Sequence, residues 1–316
     1  MSVYEILDDP GQDSAKWHEA RTSSLGASEV AAVLGLSDWQ TPLSVYMAKM
    51  GVRNQIPENL SYFGHKLEPI IAQWIRDKHP EVGEVSDGIS ARSVEWSWLT
   101  ATPDRTTVDP VTGQPIPIEL KTSSAFSTDK WADGVPVVYQ CQVQTQMAVL
   151  GAPYAWVAVL HGGNEPELYR LERDDQFIQE HLVPKTRDFW YGHVIPKIAP
   201  EPSTLAEIAN VYPSESRAVV GSELVIEAAE QRAVILSDMA ELQKQADAFT
   251  LAIAQYMGTA DKLVRADGSE VLTYKTQAGR RTVSVSDLEA KHPELVSELV
   301  KQGEPFKVMR MTKEKK

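Results

Sequence analysis

The 316-residue chain has a single cysteine, Cys141. One thiol excludes an internal disulfide, a zinc site built on cysteines and an iron–sulfur cluster, and it suits a reducing compartment. Long apolar runs are also missing. The most apolar short stretch, Tyr154–Leu160, falls far below the roughly 20 residues that cross a bilayer. The N-terminal 21 residues contain no basic segment followed by an apolar one, so neither a secretory signal nor membrane embedding is expected, and a cytoplasmic setting is. Positive charge is scarce: 31 Lys and Arg face 44 Asp and Glu, for a net charge of −13. The deficit is −10 over residues 1–200 and −3 over 201–316. That excludes a surface that binds nucleic acid indiscriminately, but it leaves room for a local basic groove inside an acidic shell. No GxxxxGK[ST] pattern occurs, so there is no sign of an ATP-driven motor.

What is present is the composition of a globular protein, 42% hydrophobic and 24% charged, long enough for one large core and a smaller unit. Residues 14–50 read as helical. Ser14 and Ser28 are candidate N-caps, and Pro42 opens a helix over Leu43–Met50 that stops at Gly51. Phe63–Lys78 is a further helix, with Leu67, Ile70, Ile71, Trp74 and Ile75 on one side. The period then shortens. Val94–Thr102, Arg105–Val108 and Ile116–Lys121 read as strands, the last two joined as a hairpin through Asp109-Pro-Val-Thr-Gly-Gln-Pro. Val137–Leu150 is helical, Tyr154–Leu160 and Glu167–Glu172 are strands, and Asp174–Tyr191 is helical again. This order predicts an α/β fold, a central mixed sheet flanked by helices.

Pro196-Lys-Ile-Ala-Pro-Glu-Pro suggests a boundary near residue 200, giving domains 1–200 and 201–316. In the second, Val225, Ala228, Arg232, Ile235, Met239, Leu242, Ala246, Phe249, Ile253 and Tyr256 follow the alternating three-four spacing of a coiled-coil face within Ser222–Met257. Only Arg232 fits it poorly. This seam could join copies or a partner protein, or pack within the chain. Lys262–Arg265, a turn at Asp267-Gly268, Val271–Thr276 and Phe306–Met311 complete a small helix-plus-β appendage.

Chemistry concentrates in Thr102-Pro-Asp-Arg and Ile118-Glu-Leu-Lys-Thr. Residues two apart on a strand share a face, so Glu119 and Lys121 point one way while Ile118 and Leu120 pack the other. Asp104, returning through the hairpin, would lie beside Glu119. Two carboxylates at cross-strand distance suit a hard divalent cation, Mg²⁺ or Mn²⁺, with the Leu120 carbonyl as a further ligand. Such a cation offsets the charge that builds up when a phosphodiester is cleaved and lowers the pKa of a bound water, and the lysine would orient that water or stabilise the developing charge.

Five ordered blocks carry a resemblance. They are Trp17-His-Glu-Ala-Arg-Thr-Ser-Ser-Leu-Gly-Ala-Ser-Glu-Val, Phe63-Gly-His-Lys-Leu-Glu-Pro, Ala101-Thr-Pro-Asp, Ile118-Glu-Leu-Lys-Thr and Tyr139-Gln-Cys-Gln-Val-Gln-Thr-Gln-Met. Over residues 14–195 the chain resembles the YqaJ viral-recombinase family, which includes phage lambda exonuclease and belongs to the PD-(D/E)xK nucleases. The resemblance implies a restriction-endonuclease-like core. It makes Asp104 and Glu119 metal-binding carboxylates, Lys121 the catalytic lysine, and Glu68 a helix carboxylate that reaches the metal directly or through water. It makes Gln142 an active-site glutamine, with Gln140, Gln144 and Gln146 nearby, and Arg21 and Ser28 the holders of a DNA 5′ phosphate. Trp17 is read as packing. The implied activity is Mg²⁺-dependent 5′-to-3′ digestion of double-stranded DNA from its ends, exposing 3′ single strands for an annealing protein. A homo-oligomeric ring and a phage-encoded enzyme in the bacterial cytoplasm are implied with it. The rival readings are an endonuclease on the same fold and a catalytically silent DNA-end-binding or assembly protein.

Overall fold

The computed structural model describes residues 2–7, 22–52, 58–212, 218–279, 284–294 and 296. The chain forms two compact units, Met1–Glu207 and Ile208–Lys316. The first begins with β1 (Tyr4–Ile6), β2 (Leu25–Gly26), α1 (Val30–Val33), α2 (Pro42–Lys49) and α3 (Glu58–Lys78). It continues through β3 (Ser86–Asp87), β4 (Ala91–Ser93), β5 (Leu99–Ala101), β6 (Arg105–Val108) and β7 (Pro115–Ser123). Then come α4 (Val137–Leu150), β8 (Tyr154–His161), β9 (Glu165–Glu172) and α5, a helical stretch over 175–194.

The main sheet has strand order β3-β6-β7-β8-β9. Its β7–β8 pair is parallel and its other pairs are antiparallel, so the sheet is mixed as expected. The parallel pair follows from connectivity: α4 carries the chain from the end of β7 back to the start of β8. Asp109 builds the β6–β7 turn, its Oδ1 accepting the backbone N–H groups of Val111 and Thr112 at 2.8 and 2.7 Å. α4 ends at Gly151, whose φ of +71° supplies the left-handed residue that closes the helix.

Alternation along β7 sorts its side chains onto two faces. Ile118 and Leu120 pack with Ile71, Ala72 and Ile75 of α3 and with Ala158 and Leu160 of β8. The opposite face, carrying Val157 and Val159 of β8, lies against Val143, Met147 and Leu150 of α4. Helices therefore cover both faces of β7, and Glu119 and Lys121 stand on the α4 side. α3 is the helix expected over Phe63–Lys78, although Ile70 is exposed instead of joining its apolar side.

The N-terminal part departs from a simple helical run. Leu25–Gly26 is a strand parallel to β5 in a second, four-stranded sheet of order β1-β4-β5-β2. Ala27-Ser28-Glu29 forms a tight 3₁₀ turn ahead of α1. Ser28 therefore lies inside the turn and is not a helix cap, and Glu29 Oε2 takes the Gly26 N–H at 2.8 Å. The expected strand Val94–Thr102 shortens to β5, because Ser93 Oγ accepts the Trp96 N–H at 3.0 Å and bends the chain into a turn. Ser14 and Trp17 lie outside the described residues.

The second unit holds α7 (Glu223–Met257), preceded by α6 (Leu205–Val211), which begins in the first unit. An antiparallel hairpin of β10 (Lys262–Val264) and β11 (Glu270–Thr273) follows, and then α8 (Val285–Lys291). The strand expected at Phe306–Met311 lies outside the described residues. Among the described residues, no helix is long and apolar enough to cross a membrane.

Candidate functional site

The antiparallel ladder between β6 and β7 ends with Arg105 opposite Ile118. The Leu120 N–H, two residues along β7, is met instead by a side chain: Asp104 Oδ2 accepts it at 2.7 Å. Asp104 is thus fastened to the strand that carries Glu119 and Lys121. Gly88 makes room for this turn, since a Cβ there would lie 1.8 Å from the Pro103 carbonyl oxygen and 3.2 Å from the Asp104 carbonyl carbon.

Glu119 is 2% exposed and lies under α4. A carboxylate buried so deeply needs partners for its oxygens, and α4 supplies them from one face. Gln142 Nε2 donates to Oε1 and Gln146 Nε2 donates to Oε2, each at 2.7 Å. Lys121 Nζ also donates to Glu119 Oε1, at 2.5 Å, and to Gln142 Oε1 at 3.1 Å. Gln142 therefore bridges the carboxylate and the amine. Tyr139, one turn earlier on α4, places its ring centroid 4.9 Å from the same amine.

The charges are strongly coupled. Burial pushes the Asp104 carboxyl well above its ordinary value, and Glu119 and, more weakly, Glu68 push it further. Lys121 and the Leu120 N–H oppose the rise. For Lys121, burial pulls the amine down, but Glu119 and Asp104 outweigh it and hold it above the usual lysine value. The site thus gathers more negative charge than one ammonium neutralises.

Asp104, Glu119, Lys121 and Gln142 are brought together, with the Leu120 backbone between them. Glu68 stands half-buried on α3, and its charge reaches Asp104. Among the described residues, however, no group of three or more His, Cys, Asp or Glu is placed to hold a metal. Two carboxylates and a carbonyl are still a fitting partial set for Mg²⁺ or Mn²⁺. Magnesium keeps several waters and takes one or two carboxylates plus substrate phosphate oxygens. Ser28 is exposed in its 3₁₀ turn, and Arg21 lies outside the described residues.

Of the neighbouring glutamines, Gln140 turns to the Val135 carbonyl and Gln144 to the Glu172 carbonyl and the Asp174 N–H, away from the site. Gln146 is the one the motif alone does not single out. Its four-residue spacing from Gln142, which puts both on one helix face, is the signal that would have found it. Gly88 and Tyr139 left no comparable trace as site residues.

Residues 16–153 match the model of the YqaJ-like viral recombinase domain. The chain is 33% identical over 193 residues to the uncharacterized protein YqaJ of Bacillus subtilis (strain 168), covering 58% of this chain and 58% of that relative. Among solved structures it resembles an alkaline exonuclease from Laribacter hongkongensis, with 21% identity and a TM-score of 0.46 over 58% of this chain and 94% of the other. It also resembles a phage-related exonuclease from Haemophilus somnus 129PT, with 13% identity and a TM-score of 0.43 over 58% of this chain and 99% of the other. Through residues 16–153 the chain is therefore similar to the YqaJ-like viral recombinase domain, and it spans 58% of the length of the curated relative it matches.

Proposed function

We propose that the chain is a divalent-metal-dependent deoxyribonuclease that digests linear duplex DNA from its 5′ ends and leaves 3′ single strands for recombination. The observation that carries this reading is the convergence of Asp104 and Glu119 beside the Lys121 amine, on a strand under α4. A Mg²⁺ or Mn²⁺ ion between the two carboxylates, with the Leu120 carbonyl, would neutralise phosphoryl charge and acidify the attacking water.

The protein's own groups do the rest. Lys121, beside Glu119 and Asp104, offers its ammonium to the oxygens that gain charge as the phosphodiester breaks, or orients the attacking water. Gln142 sets the distance between Lys121 and Glu119 by bonding both. Gln146 fixes the other Glu119 oxygen, and Asp104 is fixed by the Leu120 N–H. Glu68 adds negative charge from α3 and would serve the cation directly or through water. Arg21 and Ser28 hold the 5′ phosphate, a guanidinium fork and a hydroxyl being good phosphate donors.

In this reading residues 1–200 are the nuclease domain and 201–316 an appendage. The similarity to a viral recombinase domain supports a role in recombination, with a single-strand annealing protein as partner in a bacterial cytoplasm. A homo-oligomeric ring around the DNA would gather the scarce basic residues in its channel and leave the acidic ones outside.

The test is digestion of 5′-labelled, 3′-labelled and circular duplexes with Mg²⁺, with and without a 5′ phosphate. Linear DNA should be degraded from 5′ ends and circular DNA spared. Asp104→Ala should slow digestion by at least about a hundredfold, and Arg21→Ala should erase the preference for a 5′ phosphate. Wild-type rates in Asp104→Ala would overturn the catalytic assignment, and cleavage of circles would favour an endonuclease.

A further inference from the structure

Beside the carboxylates, a run of aromatic rings leads from the Lys121 amine to the surface. Tyr139, whose ring lies 4.9 Å from Lys121 Nζ, stacks on Trp131 with centroids 5.6 Å apart and planes 28° apart. On Trp39 it stacks at 6.3 Å and 26°. Trp131 is buried and further anchored by His161 and Tyr169, with centroids at 5.6 and 5.8 Å. Trp39 is the opposite case. It sits in the loop before α2 and is 64% exposed. A large indole left in water while its neighbours are packed is a cost the core does not require. Lys130 Nζ, on an exposed side chain, lies 6.0 Å from the Trp39 ring centroid. The patch therefore offers a flat aromatic surface with one cation, Lys130, over its outermost ring and a second, Lys121, one ring further in.

That combination matches a nucleotide strand, with stacking for the base and ammonium groups for the phosphates flanking it. A flat apolar ligand without phosphate would use the rings but leave both lysines idle. A phosphate alone would use the lysines but not the indole. We propose that Trp39 is a substrate-positioning residue, stacking on an unpaired base of the DNA strand next to the phosphate that Lys121 faces. The rigid Trp131–Tyr139 pair sets the height of the stack, so base and scissile phosphate are held by one assembly. Because stacking accepts any base, the contact fixes position without selecting sequence. This inference rests on the nuclease reading of the Asp104–Glu119–Lys121 site.

The experiment measures both binding and cleavage with the full-length protein. Duplexes with a short frayed 5′ end carry either natural bases or an abasic nucleotide at one terminal position at a time. Binding is read on Asp104→Asn protein, with and without Trp39→Ala or Trp39→Phe, and cleavage on the corresponding proteins with Asp104 intact. At one position, removing the base should weaken binding and raise KM by about tenfold with Trp39 present. Trp39→Ala should lose the same factor on natural DNA and nothing more on the abasic duplex, while Trp39→Phe should recover most of it. A Trp39→Ala protein as tight as its parent would overturn the proposal. So would equal losses on natural and abasic DNA, which mark a structural role. Cleavage absent from the wild type with the binding contrast intact would overturn the nuclease reading and leave the stacking contact standing. Failure of the binding contrast alone would do the reverse.

Discussion

Asp104 carries a charge that its surroundings resist: burial and the Glu119 carboxylate both favour its protonated form. A carboxyl whose folded pKa is raised takes up a proton on folding. Its ionised form therefore costs stability at pH 7, and that cost disappears as pH falls below the value of the unfolded chain. Replacing it should relieve the conflict. Asp104→Asn keeps an oxygen for the Leu120 N–H and removes the repelling charge, so in metal-free buffer at neutral pH its melting temperature should exceed that of the wild type. The gap should shrink towards pH 4, and the variant should have lost cleavage. A melting temperature at neutral pH equal to or below wild type would show that Asp104 is not under charge stress. The sequence displayed this residue well, because Pro103-Asp104 and Glu119-x-Lys121 are spaced as two ends of a hairpin and strand alternation fixes which side chains share a face. Gln146 was harder to see: with glutamines at four alternate positions of one helix, only its four-residue spacing from Gln142 puts it on the same face, and a buried glutamine and a solvated one otherwise look alike.

Elements with a clear period were legible almost to the residue. α4 matches the expected Val137–Leu150, β6 matches Arg105–Val108, and β7 exceeds its expected range by one residue before and two after. Elements of two or three residues were not legible. β2, β3 and β4 are too short to show a period, and what makes them strands is a partner far along the chain, such as β5 for β2. Gly88, between β3 and β4, shows what such a short segment can do. Its missing Cβ lets the chain pass against Pro103 and Asp104. Gly88→Ala puts a carbon where the Pro103 carbonyl already lies, so one of the two backbones must move, and Asp104 with it. A shift of about 1 Å at a reacting group costs on the order of a hundredfold in rate. Gly88→Ala should therefore lose activity by about that factor while its circular dichroism spectrum stays that of the wild type. Full activity in this variant would separate the close approach at Gly88 from the geometry of Asp104.

The two units pose different problems of surface. The first is acidic overall, yet it must receive a polyanion if it is a nuclease, so its substrate contacts have to be local and few. α7, in the second, spans 35 residues, about 50 Å of helix. Its seam residues Val225, Ile235, Met239, Leu242, Phe249 and Tyr256 are exposed. An apolar stripe of this length at heptad spacing, interrupted by Arg232, is the surface that a second helix covers in a coiled coil. The expected occupant is another copy of the chain. Burying a leucine or phenylalanine is worth about 1.5–3 kcal/mol, and a glutamate in its place also brings a charge into the seam. Leu242→Glu combined with Phe249→Glu should therefore weaken self-association by more than a hundredfold. Analytical ultracentrifugation across a concentration series should then find a multiple of the 35.0 kDa chain for the wild type and a monomer for the double variant. If both sediment as the same species at every concentration, the seam does not hold copies together, and a partner protein or packing within the chain is its role.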